Sequence, residues 1–361
     1  MDNLAILLSE TLPATFPITF EIEIAFMDAR MTIKEIAQLS GVGISTVSRV
    51  LNKRPDVNEE TRERVMEIIR REGYAPNTNA KHLKQLSSEC VAVIVRGRKN
   101  LFFSGLLEKL QSGIERAGLQ FLPYYIDEND DEILAAQRVY AERKVRGVIF
   151  LGGCHAECDE LLRLLPVPCV FSTVSAAACR AENVSSVSVD DRQGARRAVD
   201  YLFDHGHAEI LILGGETSEW NTARLRYEGV CDSFLSHGRT LTPDRYLVST
   251  FSFASAYEAV RDYAGAPYTA VFAMSDTMAI GAARALGDLG LCVPEDVSII
   301  GYDGIELASY YEPVLATMRQ PQETLAEKSV ELLLSGMERP GRHILLETEL
   351  IGGMSVVQPR A

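Results

Sequence analysis

Hydroxyl-bearing side chains and one arginine are concentrated in the short segment from Ile44 to Leu51. Its apolar residues recur at i, i+3 and i+4, which places them on one face of a helix: Val47, Val50 and Leu51. The opposite face then carries mostly Ile44, Ser45, Ser48 and Arg49. Short side chains let a helix approach base edges closely, and an arginine can donate two hydrogen bonds to a guanine. The segment therefore predicts a helix that reads the DNA major groove.

The residues around this segment predict two further helices. Residues 32–35, TIKE, form a capping box that begins a helix. Residues 40–43, SGVG, end that helix and form a tight turn, and Asn58 caps a third helix. Three short amphipathic helices can form any small bundle, but this order predicts a helix-turn-helix DNA-binding domain over residues 31–76.

Charge is distributed unevenly along the chain. The 361 residues together carry a net charge of −14 at pH 7, which argues against a protein that coats nucleic acid or an anionic membrane over its whole surface. Residues 31–88 nevertheless carry ten Lys and Arg against seven Asp and Glu. A small basic domain joined to an acidic body is the asymmetry expected of a DNA-binding protein.

Apolar runs alternate with helical patterns from Cys90 onward. Strands are predicted at Val91–Val95, Gly147–Leu151, Cys169–Ser172, Glu209–Leu213, Ala270–Ala273 and Val297–Tyr302. Helices are predicted at Leu106–Ala117, Glu132–Arg143, Gly194–His205, Ala223–His237 and Met278–Gly290. This alternation predicts parallel, doubly wound sheets, and the number of strands suits two of them. Ligands of such folds bind beyond the carboxyl ends of the strands, so two facing sheets would form a cleft.

Several of these strands are followed by side chains that could bind a small polar ligand. They are Asn100 to Phe103, Ser172 and Thr173, Ser275 and Asp276, and Asp303. Aromatic faces can stack on the apolar face of a ring, while a carboxylate and an arginine can form paired hydrogen bonds with polar groups. The cleft is therefore predicted to bind a sugar or a nucleobase.

Other classes of function find little support. The chain has no phosphate-binding loop, G-x-S-x-G elbow or H-E-x-x-H motif, so we do not expect an enzyme. Its seven cysteines are scattered and odd in number, which favours a reducing cytoplasm. Cys154, His155 and Cys158 have no second ligand pair at zinc spacing, so we expect no metal and no cofactor.

The N-terminal residues 1–30 match nothing downstream. They are acidic and interrupted by Pro13 and Pro17, unlike a secretory signal. No segment of the chain is long and apolar enough to span a membrane. We expect residues 1–30 to be an extension that is disordered or not translated.

Residues 31–88 resemble the lactose/galactose-repressor (LacI/GalR) family of bacterial transcription regulators. The matching residues are Val42 to Asn52, Val57, Thr61-Arg62, Gly73 to Asn77 and Ala80 to Leu83. The resemblance implies DNA-binding roles for Ile44, Ser45, Thr46, Ser48, Arg49 and Asn52. It also implies a hinge helix over residues 77–88, from which Leu83 would enter the minor groove and kink the duplex.

The resemblance continues through the body to about residue 350. The matching motifs include Asp190-Asp191, Arg224 to Gly229, Ser275 to Gly281, Val297 to Asp303 and Met318 to Pro321. The resemblance implies two lobes of the periplasmic-binding-protein type, the first over residues 89–188 plus 319–357 and the second over residues 189–318. Together residues 89–361 would form the effector-binding and dimerisation domain.

The resemblance also implies which residues hold the effector. By motif position Arg226 and Asp303 would grip it, Phe102 or Phe103 would stack on it, and Phe253 would close one wall. Two further positions depart from the pattern, because many sugar-sensing relatives have Asp at Thr173 and Asn at Ser275. These departures indicate a ligand that is less polar, phosphorylated or unlike a simple hexose. Trp220 either stacks on a sugar ring or packs against protein.

Together these features predict a cytoplasmic, sequence-specific DNA-binding regulator, most simply a repressor. Its partners would be double-stranded operator DNA, a second copy of the chain, and a sugar, sugar phosphate or nucleoside effector, with no membrane. The alternative is a solute-binding protein without DNA regulation, but that protein would need export and no export signal is present. No heptad-rich segment follows residue 350, which favours a homodimer over a tetramer.

Overall fold

The computed structural model describes residues 33–51, 54, 56–72, 89–97, 100–127, 130–153, 159–217, 222–336 and 341–360. They form two compact units, and the division between the units falls within residues 73–88. Several predictions lie outside the described residues: the extension 1–30, the Thr32 cap, Asn52, the hinge 77–88 with Leu83, the thiols of Cys154 and Cys158, and Trp220.

The first unit contains the three predicted helices. They are α1 at Ile33–Ser40, α2 at Ile44–Leu51 and α3 at Glu59–Arg71. The side chain of Asn58 accepts a hydrogen bond from the backbone N–H of Glu60 at 2.8 Å, which caps α3 as predicted. Buried apolar residues from all three helices form one core: Ile36, Ala37, Val47, Val50, Val65, Ile68 and Ile69. Packing against this core holds α2 in place, because a helix of this length is unstable alone.

The second unit contains two sheets, as the alternating pattern predicted, and each sheet has six described strands. The first sheet has the strand order β11-β5-β4-β3-β1-β2, and all its strands are parallel. Its strands are β1 Cys90–Arg96, β2 Gln120–Ile126, β3 Gly147–Leu151, β4 Cys169–Ser172, β5 Val184–Val189 and β11 His343–Leu346. The strands of its centre are buried on both faces, as parallel sheets require.

The second sheet repeats this architecture. Its order is β12-β10-β9-β8-β6-β7. Its strands are β6 Ile210–Gly214, β7 Tyr246–Val248, β8 Ala270–Ala273, β9 Ser298–Asp303, β10 Ala316–Arg319 and β12 Glu349–Ile351. Only β12 among them runs antiparallel to its neighbour, β10.

Helices cover the faces of both sheets. In the first lobe they are α4 Leu101–Arg116, α5 Glu132–Arg143, α6 Asp159–Arg163 and α12 Gln322–Ser335. In the second lobe they are α7 Asp191–Asp204, α8 Thr222–Ser236, α9 Phe253–Arg261, α10 Asp276–Asp288 and α11 Glu306–Tyr310. The fold is therefore the predicted pair of doubly wound lobes.

The chain crosses between the lobes at three described places. The last of these crossings differs from the predicted lobe boundary. The chain crosses after β5, after β10 and between β11 and β12. The prediction placed all of residues 319–357 in the first lobe, but β12 pairs with β10 in the second sheet. The following segment also lies there, because the N–H of Ile299 donates to the carbonyl of Ser355 at 2.8 Å. A strand of three residues gave no sequence signal for which sheet it joins.

Alanine substitutions at two helical glycines are expected to change the stability of the protein in opposite directions. A Cβ added at Gly229, in α8, would overlap the backbone carbonyl of Arg192 in α7, whereas one added at Gly287, in α10, would meet nothing. We expect Gly229→Ala to lower the free energy of unfolding by about 1–3 kcal/mol through overpacking. Gly287→Ala should instead raise it by roughly 0.5–1 kcal/mol. Urea unfolding of both variants measures the difference, and equal effects would contradict close packing of α7 on α8.

Candidate functional site

The exposed face of α2 carries the predicted base-reading side chains. Ile44 is 44% exposed although it is apolar, and Ser45 and Arg49 are exposed beside it. Thr46 and Ser48 are half-buried. The Arg49 guanidinium lies 3.6 Å from the carboxylate of Asp56, and both side chains are more than half exposed. Such a surface ion pair contributes little, so a phosphate or guanine could replace the carboxylate at small cost.

A cavity of about 550 Å³ lies at the carboxyl ends of the strands in the two lobes. Its lining is Arg96, Gly97, Asn100, Phe102, Phe103, Asp127, Gly152, Thr173, Val174, Thr222, Arg226, Phe251, Ser252, Asp303 and Gln320. Aromatic rings, hydroxyls, amides and charged groups therefore converge on one space of a size typical of small-molecule sites.

The structure brings five of the seven predicted effector residues together in this cavity. They are Phe102, Phe103, Thr173, Arg226 and Asp303. Phe253 is not in the lining: it begins α9 and is 39% exposed, while Phe251 and Ser252 form the wall instead. Ser275 is also outside the lining, because its hydroxyl caps α10 by accepting from the N–H of Met278 at 3.2 Å. A two-residue shift in a loop cannot be read from strand periodicity.

Arg226 is the centre of the polar wall. Its Nε donates to Asp191 at 2.8 Å, its Nη1 donates to the carbonyl of Met274, and its Nη2 lies 3.5 Å from Asp303. Its guanidinium stacks 3.7 Å from the centre of the Tyr302 ring. These contacts leave Arg226 with one orientation, and that orientation fixes the geometry of the wall.

Asp303 presents its carboxyl group to the cavity from a strained backbone. It ends β9 with φ of 106°, a conformation rare for residues other than glycine. The side-chain amide of Gln320 donates to it at 2.8 Å. Burial raises the pKa of Asp303 to about 6, and the neighbouring Arg226 opposes that rise. Thr173, across the cavity, also has a positive φ of 85°. Such strain is concentrated at functional sites.

A second, fully buried carboxyl group supports the Asp303 loop from behind. Asp276 accepts hydrogen bonds from the hydroxyl of Thr317 at 2.6 Å and from the N–H of Ile305 at 2.8 Å. Burial, and then the charge of Asp303, raise the pKa of Asp276 well above its usual value. The sequence placed Asp276 among residues at a strand end, but the structure gives it a supporting position outside the lining.

Several lining residues were not predicted as effector ligands. Arg96 ends β1, Asp127 directly follows β2, and Gln320 directly follows β10. All three occupy the carboxyl end of a strand, which is the signal that could have identified them. Asn100, which was predicted among the side chains that follow strands, lines the cavity as well, and its side chain caps α4 by accepting from the N–H groups of Phe102 and Phe103. Asp127 was missed because β2 itself was not predicted.

No described helix is long and apolar enough to cross a membrane. Within the same part of the chain, no three or more His, Cys, Asp or Glu side chains are grouped to hold a metal ion.

Both units of the chain match known protein families. Residues 32–77 match the family described as bacterial regulatory proteins, lacI family, and residues 199–356 match the periplasmic binding protein-like domain. The HTH-type transcriptional regulator MalR of Clostridium butyricum is 36% identical over 331 residues, covering 89% of this chain and 98% of that protein. The HTH-type transcriptional repressor PurR of Vibrio vulnificus (strain CMCP6) is 33% identical over 314 residues, covering 84% and 91%.

Solved structures give the same result. A complex of the transcriptional regulator CelR with cellobiose has a TM-score of 0.67 and 29% identity, covering 91% of this chain and all of that one. The lac repressor dimer bound to operator and the anti-inducer ONPF has a TM-score of 0.66 and 26% identity, covering 91% and 99%. The chain therefore belongs to the LacI family of bacterial regulatory proteins and is a DNA-binding transcriptional regulator.

Proposed function

We propose that this chain is a repressor whose affinity for operator DNA is controlled by a sugar-like effector bound in the cavity between the two lobes. The proposal rests on one observation. The same chain has an exposed polar face on α2 and a cavity in which Arg226 and Asp303 lie beside aromatic rings. Such a cavity suits hydroxyl-rich ligands. The likeness to a cellobiose complex and to an operator-bound dimer supports both halves.

The proposed mechanism couples the cavity to DNA through the lobes. A homodimer in the cytoplasm would present two α2 helices to the two halves of a pseudo-palindromic operator. Because the cavity is lined by residues of both lobes, an effector that binds one lobe arrangement more tightly shifts the population towards that arrangement. Three described chain crossings join the lobes, so a change in the angle between the lobes would alter all three crossings together. In this proposal the change then shifts the predicted hinge between ordered and disordered states.

Replacing Arg49 tests the DNA-reading face. We expect Arg49→Ala to cost about 1–3 kcal/mol of discrimination at one base position, because the paired hydrogen bonds to a guanine are lost. Competition binding of selected operators that differ at single base pairs measures this loss. The control is Arg116→Ala, which removes an exposed arginine from α4. A uniform weakening of all sequences by Arg49→Ala would assign Arg49 to the phosphate backbone instead.

The raised pKa of Asp303 predicts pH-dependent effector binding. Hydroxyl groups of a ligand donate to the carboxylate, which is the form present above its pKa of about 6. Effector affinity should therefore rise as the pH increases through about 6 and fall as the pH drops below it. Titration calorimetry over about one pH unit on either side measures the change. Asp303→Asn should remove the dependence, and an unchanged pH profile in that variant would assign it to another group.

A further inference from the structure

The polar groups of the cavity lie at two separate places along the sheets. Thr173 follows β4 and Asp303 ends β9, both near the middle of a sheet. Arg96 ends β1, and Asp127 directly follows the neighbouring strand β2, which is the edge of its sheet. Three strand spacings separate β4 from β2, so the ends of these two strands lie about 14 Å apart along the sheet. That length exceeds the size of a single sugar ring.

Arg96 is held firmly at the outer end. It forms an ion pair with Glu132, the first residue of α5, and the Glu132 side chain is only 1% exposed. The Arg96 guanidinium also donates a hydrogen bond to the backbone carbonyl of Asp130 at 3.2 Å. The turn at Gly153 passes close over this pair. A Cβ there would lie 2.7 Å from Glu132 Oε1 and 2.9 Å from Arg96 Nε. The guanidinium is therefore fixed before any ligand arrives, which reduces the entropy cost of binding.

The charges around the cavity disfavour an anionic ligand. The lining contains two cations, Arg96 and Arg226, and two carboxyl groups, Asp127 and Asp303. Behind the lining, each arginine is also paired with a buried carboxyl group: Glu132 for Arg96 and Asp191 for Arg226. The negative charge of the carboxyl groups beside each arginine therefore balances the positive charge of that arginine. A phosphate would enter a site with no net positive charge and would lose its hydration.

The aromatic residues of the cavity indicate which surfaces of a ligand it can bind. Phe102 and Phe103 line the cavity from the first lobe and Phe251 lines it from the second, and aromatic rings suit the apolar faces of sugar rings. We propose that Arg96 and Asp127 form a second sugar subsite and that the effector is an uncharged sugar of two rings. One ring would contact Asp303 and Gln320, and the other would contact Arg96 and Asp127. This inference rests on the proposed function.

Calorimetric titration of the full-length chain with defined sugars tests the second subsite. The probes are three disaccharides (cellobiose, maltose and lactose), their component monosaccharides glucose and galactose, and glucose 6-phosphate. We expect at least one disaccharide to bind about tenfold or more tightly than its component monosaccharides, because it gains hydrogen bonds to a charged group. Glucose 6-phosphate should bind no more tightly than glucose.

A double variant separates the subsite from folding. Removing Arg96 alone would leave Glu132 buried and unpaired, so we replace both, as Arg96→Met with Glu132→Leu. The disaccharide should then lose about tenfold or more in affinity while the monosaccharides keep theirs. Arg116→Met, an exposed change on α4, should leave every affinity unchanged.

Three results would overturn the inference. They are a monosaccharide that binds as tightly as every disaccharide, tighter binding of glucose 6-phosphate than of glucose, and equal losses of both sugar classes in the double variant. Absence of binding by all six probes would also overturn it. The proposed regulation of DNA binding is judged separately, by measuring sequence-selective binding of DNA by the same preparation with and without each sugar.

Discussion

Arg226→Met is expected to lower the free energy of unfolding of the second unit by about 3–5 kcal/mol. Arg226 is 4% exposed, and its removal leaves the buried carboxyl groups of Asp191 and Asp303 without their cation. Burial already raises the pKa of both carboxyl groups, and loss of the arginine removes the interaction that opposes that rise. The expected loss of stability is large because a single cation pairs with two carboxyl groups that are buried from water.

A neighbouring arginine provides the matched control for this experiment. Arg224 lies on the same helix, is 41% exposed and pairs with Glu228 at 3.3 Å. Arg224→Met should therefore cost less than about 1 kcal/mol. Urea unfolding at pH 7 measures both variants, with attention to whether the slope of the transition stays constant. Similar losses in the two variants would mean that the buried network around Arg226 does not stabilise the lobe.

Asp303→Asn is expected to weaken effector binding by about tenfold to a hundredfold, since hydrogen bonds to a charged group are lost. Asparagine has nearly the same shape and tolerates the left-handed backbone that Asp303 adopts. The fold should therefore survive, and operator affinity without effector should stay nearly unchanged. Fluorescence anisotropy of labelled operator, titrated with effector, measures both quantities in one experiment.

The control for this variant is a carboxylate away from the cavity. Asp288 lies at the exposed end of α10, where it accepts hydrogen bonds from Tyr257 and Arg284. Asp288→Asn should leave the effector response intact. An Asp303→Asn protein whose operator affinity still changes at the original effector concentration would show that Asp303 does not contact the effector.

Local patterns predicted the parts of the fold that local physics determines. The helix α2 at Ile44–Leu51 and the strands Gly147–Leu151 and Cys169–Ser172 have their predicted bounds. In each, the spacing of apolar residues matches the burial that the fold imposes. The Asn58 cap was predictable for the same reason, because a cap requires only residues that are adjacent in sequence.

Strands that depend on distant partners were missed. Half of β5 is serine, yet Ser185, Ser186 and Ser188 are buried. Their hydroxyls find partners far along the chain: Ser186 meets the His343 ring at 2.9 Å, and Ser185 accepts from the N–H of Arg342 at 3.1 Å. Serine-rich segments normally indicate exposed loops, so only the tertiary pairing makes this segment a central strand.

The edge strand β2 was missed for a different reason. It contains Pro123 and has side chains that are mostly exposed or half-buried. Proline is tolerated only at the edge of a sheet, and the sequence contains no signal that β2 lies there. Missing β2 also concealed Asp127 and hence the outer end of the cavity.

The candidate site was predictable only in part. Residues at strand ends, such as Asp303 and Thr173, could be located because parallel sheets bring their carboxyl ends together. The pairing of Arg96 with Glu132 could not, since it requires α5 to begin beside the end of β1. The exchange of Phe253 for Phe251 depends on the course of the loop after β7.

Selection from random duplex DNA tests the central claim most directly. The full-length chain should enrich one pseudo-palindromic sequence, because two copies of α2 read two half-sites. Binding to that sequence should weaken steeply with salt, since phosphate contacts release counterions. Enrichment of no sequence, or of one without twofold symmetry, would contradict a dimeric regulator that reads DNA through Ile44, Ser45 and Arg49.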